Sequence, residues 1–175
     1  MKIIKESNKF ANKLLYIFVF IGIIPLVAVW VIYLDNASSP FLNSIADRFS
    51  SLPAVTSVKK PLMTKVMDVY CKSAPFLAIM LFLCSIKLRK FKATTNRGAL
   101  IRSCLLSPFF YPFFIYFFLF RNIELTTAGR PLRLMSGQDL PLLLVYISLY
   151  AIVFFLTYGM CYIPVVAYKI FKERR

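Results

Sequence analysis

The sequence has 175 residues, 59% of them hydrophobic, with 22 Lys and Arg against 7 Asp and Glu and no histidine. That apolar share exceeds the roughly 45–50% of an average soluble protein, and a soluble fold of this size could not bury it. The missing histidine removes the commonest catalytic base and metal ligand. The net charge of +15 sits in short stretches between apolar runs. This is where membrane proteins keep cytoplasmic Lys and Arg, and it argues against nucleic acid as a partner.

The first apolar run covers residues 14–34 and is preceded by Lys2, Lys5, Lys9 and Lys13. At 1.5 Å per residue it reaches about 32 Å, enough to cross a hydrocarbon core of ~30 Å. It is too long for the ~7–15-residue core of a signal peptide, so an uncleaved signal-anchor helix is expected. A polar connection follows over 35–67, with Pro40, Pro53 and Pro61. Within it Phe41, Leu42, Ile45 and Phe49 recur at helical spacing. A short interfacial helix and an irregular loop both fit that stretch.

The second run is free of charge only from Ser73 to Ile86, which is short for a crossing. Extending it to 68–87 gives sufficient length but admits Asp68 and Lys72. These lie four apart with the acid first, so they face each other on a helix; at the membrane edge they can pair or snorkel to the headgroups. The connection over 88–102 and its flank hold Lys87, Arg89, Lys90, Lys92, Arg97 and Arg102 and no acid. A third span is expected over 103–120. Nine of the twelve residues from Phe109 to Phe120 are aromatic, and Pro108 and Pro112 interrupt the run. Such prolines are tolerated in membrane helices and often kink them.

The next connection, 121–140, carries Arg121, Arg130 and Arg133, with Thr126, Thr127 and Gly129 suited to a turn that Pro131 stiffens. The fourth run extends from Leu140 to about Ala167, longer than a span needs; the crossing is placed at 141–163, with the turns after Pro164 tilted or interfacial. Lys169, Lys172, Arg174 and Arg175 close the chain. The two termini and the middle connection together hold fourteen basic residues and two acids, whereas the remaining connections, counted with Asp68 and Lys72, hold eight and five. The positive-inside rule therefore predicts an all-α integral membrane protein with four transmembrane helices and both termini cytoplasmic, leaving 35–67 and 121–140 periplasmic.

No P-loop, dinucleotide fingerprint, serine elbow or zinc-protease motif occurs, so no catalytic, cofactor-binding or metal-ligating residues are expected. Cys71, Cys84, Cys104 and Cys161 form no C-x-x-C pair, and three lie in apolar runs, as small buried side chains do. The central parts of the spans contain hydroxyls and thiols but no ionisable carboxylate or amine, which argues against a pump or proton-coupled carrier. Ala74 with Ala78 and Ser103 with Ser107 form small-x-x-x-small pairs. The aromatic third helix suits a packing surface for a partner, the bundle core or lipid.

Five stretches resemble one family. They are PLMTKVMDVYCKSAPFLA at 61–78, RSCLLSP at 102–108, FRNIELTTAGRPLRLM at 120–135, IGIIPL at 21–26 and LPAVTS at 52–57. Together they resemble the immunity proteins against A-type pore-forming colicins, the colicin A, B, U and Y group. The resemblance covers nearly the whole chain; the first ten residues and the composition of the third and fourth helices depart from the pattern. It implies a multi-pass protein of the bacterial inner membrane. Its partner would be the pore-forming domain of a cognate colicin, engaged through that domain's helical hairpin in the bilayer. Membrane lipids are the other expected contact. The turn holding Thr126, Thr127, Arg130 and Arg133 faces the arriving toxin on this reading and provides the candidate recognition residues. A structural role in setting the angle between the third and fourth helices fits the same residues. The rival functional reading is a small subunit of a membrane transport or channel assembly.

Overall fold

The computed structural model describes residues 2–89 and 97–173. Seven helices and two short strands follow in chain order. Helix α1 (Lys2–Asp35) gives way to the short helix α2 (Pro40–Arg48), strand β1 (Val55–Thr56), and helices α3 (Pro61–Cys71) and α4 (Ala74–Ser85). Helix α5 (Arg97–Leu119), strand β2 (Ile123–Glu124), helix α6 (Arg130–Met135) and helix α7 (Asp139–Glu173) complete the chain. Among the described residues, four segments are long and apolar enough to cross a membrane: Asn8–Asp35, Pro61–Ser85, Ile101–Leu119 and Asp139–Lys169. Part of the basic connection expected over 88–102, including Lys90 and Lys92, lies outside the described residues.

Prolines set several of the boundaries. Pro40 and Pro61 stand at the first positions of α2 and α3, where the missing N–H costs nothing and the fixed φ suits a helix start. The stretch that the sequence left open between helix and loop is therefore helical over Pro40–Arg48. The second membrane segment departs from a single helix over 68–87. It starts at Pro61 and breaks at Lys72–Ser73. Pro75 explains the break: it has no N–H to give Cys71, and its ring crowds that carbonyl. Ser73 bridges the gap, its hydroxyl donating to the Tyr70 carbonyl at 2.7 Å. By contrast α5 runs on through Pro108 and Pro112, and α7 through Pro164.

Helix α7 is the axis of the bundle. It packs against α5, α4, α1 and α3, whereas α5 makes its substantial contacts with α7 alone. Tyr146, Tyr150, Val153 and Phe154 of α7 are fully buried. Ala74 and Ala78 of α4 are buried too, so the small-residue pair is used inside the bundle, where it lets two backbones approach. The Tyr150 ring stacks on Tyr70 at 5.8 Å and on Phe154 at 6.0 Å.

Helix α1 seats on this column at Gly22. A Cβ there would lie 1.8 Å from the Tyr150 hydroxyl oxygen and 2.4 Å from its Cζ. Because the Tyr150 ring is fixed between two other rings, it cannot step aside without repacking the core. Gly22→Ala is therefore expected to destabilise the protein by on the order of 1–3 kcal/mol, the usual cost of overpacking. Thermal unfolding in detergent, followed through the emission of the single tryptophan, Trp30, measures this. An unchanged midpoint would mean that α1 is not seated on Tyr150.

Candidate functional site

The connections 35–67 and 121–140 meet at one end of the bundle and form a cap. Its centre is the parallel pair β1–β2, with Val55 opposite Ile123 and Thr56 opposite Glu124. Ile123 N–H donates to the Ala54 carbonyl at 3.3 Å, and Leu125 N–H to the Thr56 carbonyl at 2.9 Å. The Asn122 side chain accepts from Ala54 N–H at 2.9 Å.

Two residues cannot form a stable sheet alone. The free edge of β1 is satisfied by side chains from the membrane-spanning helices instead. Asp68 of α3 accepts the Val55 N–H at 3.2 Å, and the Tyr146 hydroxyl of α7 donates to the Val55 carbonyl at 2.6 Å. Thr64 of α3 accepts the Ser57 N–H at 3.1 Å, and the Ser57 hydroxyl donates to the Ser136 carbonyl at 3.1 Å. The other Asp68 oxygen is ion-paired with Lys72. Asp68 is fully buried, so the pair expected at the membrane edge is an internal element that links α3 to β1. Lys60 pairs with Asp139 and lies 5.8 Å from the Tyr33 ring centre, joining the starts of α3 and α7 to the end of α1.

Glu124 organises the turn that follows β2. One carboxylate oxygen accepts from Val58 N–H at 3.0 Å, Thr126 N–H at 3.0 Å and the Thr126 hydroxyl at 2.8 Å. Partial burial alone would raise the Glu124 pKa, but these bonds to the charged form outweigh it and hold the carboxyl below its usual range. The Thr127 hydroxyl donates to the Glu124 carbonyl at 2.9 Å. Thus the hydroxyls of Thr126 and Thr127 are engaged in building the turn. Arg130 and Arg133 stand on the exposed six-residue α6, none of whose residues is buried. Neither side chain has a hydrogen bond or ion pair among the described residues. The four candidates therefore share one turn but divide into two that shape it and two that project from it.

Beside the cap, α5 leaves a broad aromatic face uncovered. Phe109, Phe110, Phe113 and Tyr116 are exposed, and Arg121 lies 5.0 Å from the Phe117 ring centre at the cap end of this face. Among the described residues no group of His, Cys, Asp and Glu side chains is placed to hold a metal ion. The geometry suits binding: a rigid polar cap, two projecting cations and a wide apolar helix face.

Removing one partner of a buried ion pair leaves the other charged and unpaired. Asp68→Leu should lower stability by about 3–5 kcal/mol, while combining it with Lys72→Met should restore much of that loss. Unfolding in detergent distinguishes the two variants; equal stability would contradict a structural pair. The Glu124 bonds have a defined pH dependence. Its depressed folded pKa supplies stability that is present above the unfolded carboxyl pKa and lost as pH falls through the folded value. Amide-exchange protection at Val58 and Thr126 should fall in that acid range, and Glu124→Gln should abolish the transition. Persistence of the transition in that variant would assign it to another group.

The similarity to known proteins follows the whole of this architecture. A family model described as colicin immunity protein matches residues 38–175, which include both strands, the cap and three of the four membrane-crossing segments. The Colicin-A immunity protein of Citrobacter freundii is 50% identical over 172 residues, covering 98% of this chain and 97% of the relative. The Colicin-B immunity protein of Escherichia coli is 39% identical over 171 residues, covering 98% of each. No solved structure matches. Similarity of this extent, over a chain with four membrane-crossing segments, places the protein in the colicin immunity family.

Proposed function

We propose that this protein shields its cell from a pore-forming colicin by binding the toxin's pore-forming domain in the inner membrane and keeping the channel closed. The observation that carries this reading is the 50% identity with the Colicin-A immunity protein across 98% of the chain. It acts as a binding protein and not as an enzyme. The excess of Lys and Arg at the termini and in the middle connection orients both ends to the cytoplasm, so the cap faces the periplasm.

The geometry fits an inhibitor that waits in the membrane. A toxin arriving from the periplasm meets the cap first. Arg130 and Arg133 project there, and the turn held by Thr126, Thr127 and Glu124 fixes their position. A helical hairpin entering the bilayer then finds the exposed aromatic face of α5, which packs chiefly on α7 and leaves its other side to lipid or a partner. Confinement of both proteins to one membrane raises their effective concentration, which favours interception over capture from solution.

Cells expressing the chain should survive challenge by at least one pore-forming colicin of the A and B type. Death under every member of a colicin panel, at demonstrated membrane abundance, would overturn the reading and return the transport-subunit alternative. Replacing Arg130 and Arg133 together by Ala should reduce protection by roughly tenfold or more, as loss of an interface anchor does. Membrane abundance should not change, because neither side chain supports the fold. Full protection at parental abundance would remove both arginines from the recognition surface.

A further inference from the structure

A cleft of about 530 Å³ opens on the cap between α2 and the start of α3. Asp47 of α2, Pro61, Leu62 and Lys65 of α3, and Val58 and Glu124 are among the residues that line it. Its apolar rim is prominent, with Val58 73% exposed although a β-branched side chain gains nothing from water there. Three charged groups line it, and their engagement differs. The Lys65 ammonium donates to the Leu52 carbonyl at 2.6 Å and the Ser50 carbonyl at 3.3 Å. One Glu124 oxygen is saturated by the three donors that hold the turn. The Asp47 carboxylate has no hydrogen bond or ion pair among the described residues. Two carboxylates against one lysine make this cleft a locally anionic site on a chain of net charge +15.

From this contrast we infer that the cleft takes a Lys or Arg side chain on an apolar stretch of the toxin's pore-forming domain, with Asp47 as its counter-ion. The inference rests on the immunity reading and extends it to a second contact, separate from Arg130 and Arg133. Charge complementarity selects a cationic head, and the apolar rim at Val58, Pro61 and Leu62 suits the aliphatic stem and neighbouring apolar residues of the incoming segment. The backbone along its edge is fixed, because Ser57 N–H and Val58 N–H are held by Thr64 and Glu124. An incoming side chain therefore meets a formed site.

The test uses the full chain in cells that the parent protects against one colicin. Asp47→Asn should lower the tolerated colicin concentration by roughly tenfold, and Asp47→Lys should abolish protection, both at parental membrane abundance. Ser44→Lys, which places a lysine at an exposed α2 position outside the cleft and raises the net charge by one as Asp47→Asn does, should protect like the parent. A Lys→Glu or Arg→Glu change in the pore-forming domain should restore recognition by the Asp47→Lys chain. Unimpaired protection by Asp47→Lys would overturn the inference, as would an equal loss with Ser44→Lys. Lost protection with undiminished crosslinking to the pore-forming domain would assign the cleft to another ligand, such as a lipid amine, and would also overturn it. If the parent protects against no colicin, the immunity reading itself falls and the cleft assignment falls with it.

Discussion

The backbone of Val55 is the point on which the cap depends. Its N–H is held by Asp68 of α3 and its carbonyl by Tyr146 of α7. A two-residue strand therefore has partners on both edges: β2 on one, and side chains of two membrane-crossing segments on the other. The arrangement is costly in isolation, because a buried carboxylate and a buried lysine lose their hydration. It is offset here by mutual pairing and by the satisfied amide. Without Asp68 and Tyr146 the cap would lose its ties to α3 and α7 at Val55. With them it keeps a fixed orientation to the bundle axis, and so do the residues that project from it.

That constraint gives the two sides of the proposed recognition surface different characters. The cap is polar, and the turn that precedes its two projecting arginines is held by the Glu124 hydrogen bonds. The face of α5 is broad, aromatic and supported chiefly by α7. A polar cap suits selection among toxins, because misplaced charges are strongly penalised. An apolar helix face suits association within lipid, where packing and not water exclusion drives contact. On the proposed reading, selectivity resides chiefly in the cap and helix capture in α5.

Much of the bundle was legible in the sequence, for a simple reason. A bilayer requires long uncharged helices, so hydropathy and charge position report them directly. The Asp68–Lys72 pair was legible from its spacing, but its surroundings were not. Asp68 meets Val55 across 13 positions and Tyr146 meets Val55 across 91, and no local pattern signals either contact. The break at Lys72–Ser73 had a local sign in Pro75, yet the apolar run around it reads equally well as one span. Among the candidate site residues, Arg130 and Arg133 stand exposed on α6. Thr126 and Thr127 read as turn residues or contacts, and their hydroxyls are spent on Glu124. Asp47 carried no signal at all, because its place beside the cleft follows from how α2 lies on α3.

The central claim is that this chain, alone in a membrane, keeps a colicin channel closed. Potassium efflux from liposomes reconstituted with the purified protein tests it, on addition of the purified pore-forming domain of a colicin the chain resists in cells. The account predicts suppressed efflux, rising towards full suppression as the immunity protein exceeds the toxin, and normal efflux with an unrelated pore-former. Unaltered efflux with the resisted toxin, at an excess of correctly folded protein, would contradict it.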